Sequence, residues 1–461
     1  MPLTRRDLLA RTGTIGAGVF LAGAASDLLP SRVAFAKQPR VAGYGDLVPD
    51  PHGLLDLPRG FSYKTLSKGG DTFSDGSTVP SLHDGMAAFG GRKGTTVLVR
   101  NHELSPDSAT ALVPSAGMTP YDPLCKGGTA NVVVDEDGEL VSHYVSLAGT
   151  FRNCAGGPTP WNTWLTCEEN ESHPSSTSTV SKPHGYVFEV DPQRRTTDPV
   201  PLRAMGRFAH EAVAIDPDSG IVYETEDAAS PHGCFYRFRP NKPLGGPGSL
   251  AAGGVLEVMR VADGPADLSA VDVLGTTFHD VRWERIPVPD FDPTSADAVA
   301  RTKVRSQVAN ATRIPKCEGA YWGDDAVFFV SSFAKPTMSP PPAGRHEGQV
   351  WKYEPSSDTL TLVVLIAPGG TFDGPDNMVV SPYGGLFLCE DGDGEQYVFG
   401  ADDDGQLFPF ARNATGNGSE FAGATFDRTG RTMFFSMQEP GITFAVTGPW
   451  KKCGKRKGER D

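Results

Sequence analysis

The sequence predicts an all-β chain, a six-bladed β-propeller with loop insertions and at most short helices. Three observations predict it. Glycine and proline, 54 and 39 of 461 residues, make up about one residue in five, against a usual ~12%. The apolar runs are short and rich in Val, Phe, Tyr and Thr, as strands bounded by tight turns are. One strand–turn–strand unit recurs six times along the chain, as expected of an array of propeller blades.

The first element is a leader at residues 1–36. Arg5-Arg6 precede an apolar Gly/Ala-rich stretch from Ile15 to Ala25, and Ala34-Phe35-Ala36 forms an A-x-A cleavage site. A charged start, a short apolar run and small residues at the cut are the parts of an export signal. The paired arginines direct it to the twin-arginine (Tat) translocase, so the expected location is periplasmic or extracellular. No later segment approaches the ~18 apolar residues of a membrane span. The expectation is therefore a single domain over 37–450 with no stable membrane insertion, acting as a monomer. Residues 451–461 form a basic, solvated tail.

Within the domain the repeat reads as polar residue, strand, turn, strand, acid. It starts at Asp84, Cys154, Glu211, Glu318, Asp376 and Glu420. Glu211-Ala-Val-Ala-Ile-Asp-Pro-Asp-Ser-Gly-Ile-Val-Tyr-Glu-Thr-Glu226 shows it most plainly. Between units lie long insertions at 104–130 and 228–310, placed to cover the channel mouth. Residues 171–184 and 334–348 read as exposed loops, and 295–308 carries near-helical spacing that predicts one short helix.

In a propeller the innermost strand of each blade starts at the same mouth of the channel, so the six starting residues converge. Glu103 and Glu168, which close the first two units, join them as candidate ligands. Several carboxylates and a thiolate share a low-dielectric space only when cations are present, because like charges there cost several kcal/mol each (roughly). Oxygen ligands suit Ca2+, whereas the thiolate of Cys154 suits a transition metal such as iron. The bland alternatives are acids in solvated turns, a purely structural Ca2+ site, and a Cys154–Cys167 disulfide. The seven cysteines contain no C-x-x-C pair, which leaves a zinc ribbon without support. A net charge of −14 disfavours nucleic acid and anionic membranes as partners and suits a collector of multivalent cations.

The block Gly149-Thr-Phe-Arg-Asn-Cys154-Ala-Gly-Gly157, followed by Thr159-Pro-Trp-Asn-Thr-Trp-Leu-Thr-Cys-Glu-Glu169, resembles the signature of the PhoX alkaline phosphatases. Asn101-His-Glu103, Gly206-Arg-Phe-Ala-His-Glu-Ala212, Glu318-Gly-Ala-Tyr-Trp322 and Pro375-Asp-Asn377 resemble further blocks of that family, in its order. The resemblance covers roughly residues 44 to 445. It implies a six-bladed propeller, Tat export, and a mixed Fe3+ and Ca2+ cluster that removes phosphate from a small-molecule monoester. It also implies that Cys154, Glu211, Glu318 and Asp376 are metal ligands.

One position departs from the family pattern. Where its members carry a phosphate-holding arginine two residues before the bridging glutamate, this chain has Lys316. Lysine binds phosphate as a point charge, without a bidentate fork. Lys316 and Arg152 are the candidate substrate-binding cations, and an inter-blade ion pair is the alternative for Arg152. No Gly-x-Ser-x-Gly elbow offers a serine nucleophile, so in-line attack by a metal-bound oxide or hydroxide is expected. The alternatives are a phosphodiesterase or lactonase on the same propeller, and a non-catalytic, Ca2+-stabilised binding propeller.

Overall fold

A computed structural model describes residues 42–193 and 198–451; the leader and the last ten residues, Cys453 among them, lie outside the described residues. The described chain is a six-bladed β-propeller. Blade one is built from His83–Gly90, Thr96–His102, Gly127–Val134 and Leu140–Thr150. Blade two has Asn153–Pro158, Trp164–Glu168 and Val187–Val190. Blade three starts with His210–Ile215 and Val222–Glu226, and blade four with Cys317–Gly323 and Ala326–Ser331. Blade five starts with Pro375–Val380 and Leu386–Glu390.

The sixth blade closes the ring. Phe421–Phe426, Thr432–Met437 and Ile442–Thr447 come from the end of the chain, and Ser62–Lys68 from its beginning pairs antiparallel with Ile442–Thr447. Joining the two ends in one sheet closes the ring with ladder hydrogen bonds and leaves the short strand Ser62–Lys68 as the outer edge of blade six. The neighbouring N-terminal strand Leu55–Pro58 caps blade five by pairing with Leu407–Asn413. Strand alternation sends Val213, Ile215 and Val222 on one side, and Tyr223, Ala212 and Ala214 on the other, into separate inter-blade cores.

Every inner strand is bulged near its start. The register slips between His83 and Met86, Asn153 and Gly156, His210 and Val213, Cys317 and Ala320, Pro375 and Met378, and Ala422 and Thr425. A bulge places two residues opposite one and re-aims the extra side chain. In five blades that residue is the predicted ligand: Asp84, Cys154, Glu211, Glu318 or Asp376. In four of these blades the residue after it is Gly or Ala, because the inner strands touch there. A Cβ on Gly319 would stand 2.4 Å from the Asp376 carbonyl oxygen.

Gly423 is held for two reasons. Its φ is +68°, and a Cβ there would stand 2.6 Å from the Asp84 carbonyl oxygen, across the blade six–blade one seam. Gly423→Ala should lower the stability of the folded chain by about 2–4 kcal/mol, read as a shift of the urea unfolding midpoint. A change below about 0.5 kcal/mol would contradict the close packing of that seam.

Two local expectations are corrected. Residues 295–308 form no helix beyond the short 3-10 turn Val304–Ser306. Asp292 and Asp297 instead accept from the backbone N–H groups of Thr294, Val299 and Ala300, the local bonding by which Asp competes with helix. The 171–184 and 334–348 loops are not wholly exposed, since Val180, His184, Ala334 and His346 are buried.

Candidate metal centre

One hydrogen bond repeats in all six blades and sets the geometry of the mouth. The residue just past each second strand donates its N–H to a carbonyl at the start of its own blade. The pairs are Glu103 to Leu82, Glu169 to Arg152, Asp227 to Ala209, Ser332 to Lys316, Asp391 to Gly374 and Gln438 to Glu420, at 2.8–3.2 Å. Blades one to five therefore present two ranks of side chains, one from the bulge of the inner strand and one from the end of the second strand.

These ranks assemble a linked series of ligand-sized groups, with ligand atoms within 4.8 Å of one another in each. They are Cys154–Glu169–Glu211, Glu211–Glu318–Asp376, Asp376–Asp391–Glu420 and Asp84–Glu103–Glu420. Shared members make this one chain of eight carboxylates and a thiol around the mouth. Of the eight predicted ligands, seven are brought together. Glu168 is not: its carboxylate accepts from the N–H groups of Phe151, Gly185 and Tyr186 and from His184 Nδ1. Its neighbour Glu169 faces the mouth instead, because successive residues leaving a strand point to opposite sides.

Glu420 reaches the mouth from a different register. Its carbonyl accepts the bond that in blades one to five goes to the residue two before the bulge, so it corresponds to Leu82, Arg152, Ala209, Lys316 and Gly374. That position is conformationally marked. Leu82, Arg152, Lys316 and Gly374 have φ between 46° and 53°, a left-handed region that costs a non-glycine residue about 1–2 kcal/mol. Such backbone concentrates at functional sites.

Arg152 and Lys316 are thus equivalent residues on blades two and four, flanking Glu211 of blade three. The Arg152 guanidinium stands 2.6 Å from Glu103 and 2.7 Å from Glu169. Lys316 Nζ stands 2.8 Å from Asp227 and 2.5 Å from Glu318. Both side chains remain partly open, at 38% and 27% exposure. Burial works against their charge, but for Arg152 the carboxylates of Glu169 and Glu103, and for Lys316 those of Glu318 and Asp227, outweigh it. Arg207, Arg313 and His210 do not join them. Arg207 bonds the carbonyls of Phe291, Glu171 and His184, Arg313 reaches His232 O and Cys234, and His210 stacks on Phe208.

The donor set fits multivalent cations. Burial, then the neighbouring carboxylates, push Glu211 and Glu318 far above the carboxylate range. Burial and Asp391 raise Asp376 to about 7, and burial with Asp227 and Glu103 raises Glu169 to about 8 despite Arg152. Two cationic side chains cannot neutralise eight acids, and bound cations would. The Cys154 thiol is free, as are the five other described cysteines, so the Cys154–Cys167 disulfide does not form. Its Sγ lies against the Glu211 backbone, 3.3 Å from the His210 carbonyl, at the edge of the carboxylate chain.

The family model for alkaline phosphatase PhoX matches residues 42–143 and 137–441. The chain belongs to the alkaline phosphatase PhoX family. Its activity is accordingly phosphate hydrolysis of the alkaline-phosphatase type, carried on a propeller and dependent on metal. Among solved structures it is similar to Pseudomonas fluorescens PhoX in complex with vanadate, a transition-state analogue. That match has a TM-score of 0.67 and 19% identity, and covers 90% of this chain and 99% of that one. A gluconolactonase from Xanthomonas campestris aligns with a TM-score of 0.42 and 12% identity, over 89% of this chain and 99% of that one. Among curated proteins none matches the chain.

Proposed function

We propose that this PhoX-family chain hydrolyses small phosphate monoesters at the propeller mouth, with Ca2+ and Fe3+ as its cations. The carrying observation is the convergence of a chain of carboxylates, buried at Asp84, Glu211 and Glu318 and more open toward Asp391, and one buried thiol with two partly exposed cations. Glu211, Glu318, Asp376, Glu169 and Cys154 would hold the cations nearest blade three, the thiolate favouring iron. Asp84, Glu103, Asp391 and Glu420 offer oxygen-only sites suited to calcium. When bound, such ions neutralise phosphoryl charge and supply an activated oxygen nucleophile.

The protein's own part is to hold the ester. Glu103 and Glu169 engage Nε and Nη2 of Arg152 and fix its plane, leaving the N–H donors of Nη1 for a non-bridging oxygen. Lys316 supplies a compact positive charge from the opposite side, kept protonated by Asp227 and Glu318. Buried, rigid inner strands hold these groups in place, so little reorganisation accompanies charge movement to the leaving oxygen. The vanadate bound to the Pseudomonas relative is consistent with this reading.

The test is hydrolysis of p-nitrophenyl phosphate by the purified chain before and after chelation, with Ca2+ and Fe3+ restored singly and together. Activity that survives complete chelation, or that appears only with bis-p-nitrophenyl phosphate or a lactone, would overturn the proposal. Lys316→Ala should reduce kcat/KM by about 10²-fold, whereas Lys316→Arg should stay within about tenfold of the parent, since both keep the charge. An alanine variant with parental kinetics would remove Lys316 from the substrate site.

The twin-arginine leader supports export by the Tat translocase and a periplasmic or extracellular place of action. Replacing Arg5 and Arg6 with lysine should retain the precursor in the cytoplasm, read by cell fractionation.

A further inference from the structure

A second ligand-type cluster lies outside the mouth, in the wall between blades one and two. Asp122 and Cys125 come from the long loop between the second and third strands of blade one, and His184 from the loop after Trp164–Glu168. All three are buried, and their ligand atoms lie within 4.8 Å of one another. We propose that Asp122 Oδ2, Cys125 Sγ and His184 Nε2 bind a divalent transition-metal cation of the zinc type, tying these two loops together.

The distances carry the assignment. His184 Nε2 stands 3.4 Å from Cys125 Sγ and 3.3 Å from Asp122 Oδ2. Tetrahedral zinc, with bonds of about 2.3 Å to sulfur and about 2.0–2.1 Å to nitrogen and oxygen, separates nitrogen from sulfur by about 3.5 Å and from oxygen by about 3.3 Å. Three protein ligands of mixed thiolate, imidazole and carboxylate character match zinc better than calcium, which avoids sulfur.

The far side of the imidazole is an independent observation. His184 Nδ1 is 2.6 Å from Glu168 Oε1. Glu168 in turn is pinned by three backbone N–H groups. A carboxylate that accepts the Nδ1–H hydrogen bond fixes the tautomer and leaves Nε2 free to ligate, as in many metal-binding histidines. Without a cation, a single Nε2 proton is shared between two neighbours, Asp122 and Cys125, at 3.3 and 3.4 Å. Asp122 is similarly fixed by the N–H groups of Leu124, Ser181 and Lys182 and by the Ser181 hydroxyl. The thiol packs with Phe151 and Val180, so it is covered rather than presented to a substrate.

This explains why Glu168, beside the mouth residue Glu169, is turned inward. It braces a histidine and, through the Phe151 N–H, the backbone that leads into Arg152.

The experiment uses the full chain, stripped of metal and refilled with Ca2+ and Fe3+, then titrated with Zn2+ and, separately, Co2+. The parent should take up one zinc that Cys125→Ala binds at least about tenfold more weakly, while Cys154→Ser, altered in the mouth, keeps it. The cobalt form should show a thiolate charge-transfer band lost in Cys125→Ala and retained in Cys154→Ser. If Cys125→Ala fails to fold, alkylation of Cys125 in the parent, followed by peptide mass spectrometry, decides the matter, and zinc should slow it at least tenfold. Equal zinc uptake by the parent and Cys125→Ala, or alkylation indifferent to zinc, overturns the site and leaves His184 as an imidazolium bridging two carboxylates. Neither result bears on the phosphatase reading, because none of the three ligands belongs to the mouth.

Discussion

Glu318→Gln should lower kcat for phosphate monoesters by about 10³-fold or more, and at the same time raise the stability of the metal-free chain. Both effects follow from where the carboxylate sits. Glu318 is 4% exposed as a side chain, it shares ligand distances with Glu211 and Asp376, and its charged partner is Lys316 at 2.5 Å. A neutral amide of the same shape keeps the packing and removes one anionic ligand from the middle of the carboxylate chain. Lewis-acid stabilisation by a bound cation amounts to several kcal/mol (roughly), which is about 10³-fold in rate. Without cations the same charge is a liability, since burial and then Asp227 oppose its ionisation. The chelated variant should therefore unfold at higher urea concentration than the chelated parent. Retention of kcat within tenfold would remove Glu318 from the ligand set. A chelated variant less stable than its parent would show that repulsion is not what governs the empty mouth.

The blade count and the convergence were legible because both rest on period-two alternation joined to a repeat. Asp84, Cys154, Glu211, Glu318 and Asp376 stand at the bulge of five inner strands, where the repeat placed them. Glu169 and Asp391 stand at unit ends, where the sequence does not separate them from their neighbours Glu168 and Glu390. Each pair Glu168-Glu169 and Glu390-Asp391 holds one residue facing the blade and one facing the mouth, and the phase depends on where the second strand ends. Glu390 illustrates the inward member, accepting from the N–H groups of Asp373 and Tyr397. The bulges were hidden for a related reason: a one-residue register slip leaves no mark on composition. Its trace is the small residue that follows four of the five ligands, as in Asp84-Gly85, Cys154-Ala155-Gly156 and Glu318-Gly319. The offset of Glu420 was beyond reach, because blade six delivers its acid from a turn position that in blades two and four carries a cation. Asp122, Cys125 and His184 belong to no repeat and stand 59 residues apart between Cys125 and His184, so only folding brings them together.

The gap in thermal midpoint between the metal-loaded and chelated protein should widen as pH rises from about 5 to 8. In the chelated folded chain Asp376 titrates at about 7 and Glu169 at about 8, whereas in the unfolded chain Asp and Glu titrate near ~4. Between those values the folded state holds more protons than the unfolded state, so folding loses stability as pH increases. The penalty is absent below about pH 4, where both states are protonated, and complete above about pH 8, where both are ionised. Glu211 and Glu318, raised further by burial and by each other's company with Asp376 and Asp227, extend the trend in the same direction. Cation binding has the opposite sign, because the ligands must shed their protons before they coordinate, and affinity grows as pH rises. One curve falls while the other is held up. Thermal midpoints by circular dichroism at pH 5, 6, 7 and 8, with and without chelator, give the comparison directly. Parallel curves would mean that the carboxylates at the mouth are already neutralised without metal, and the case for a cation-filled centre would fail with them.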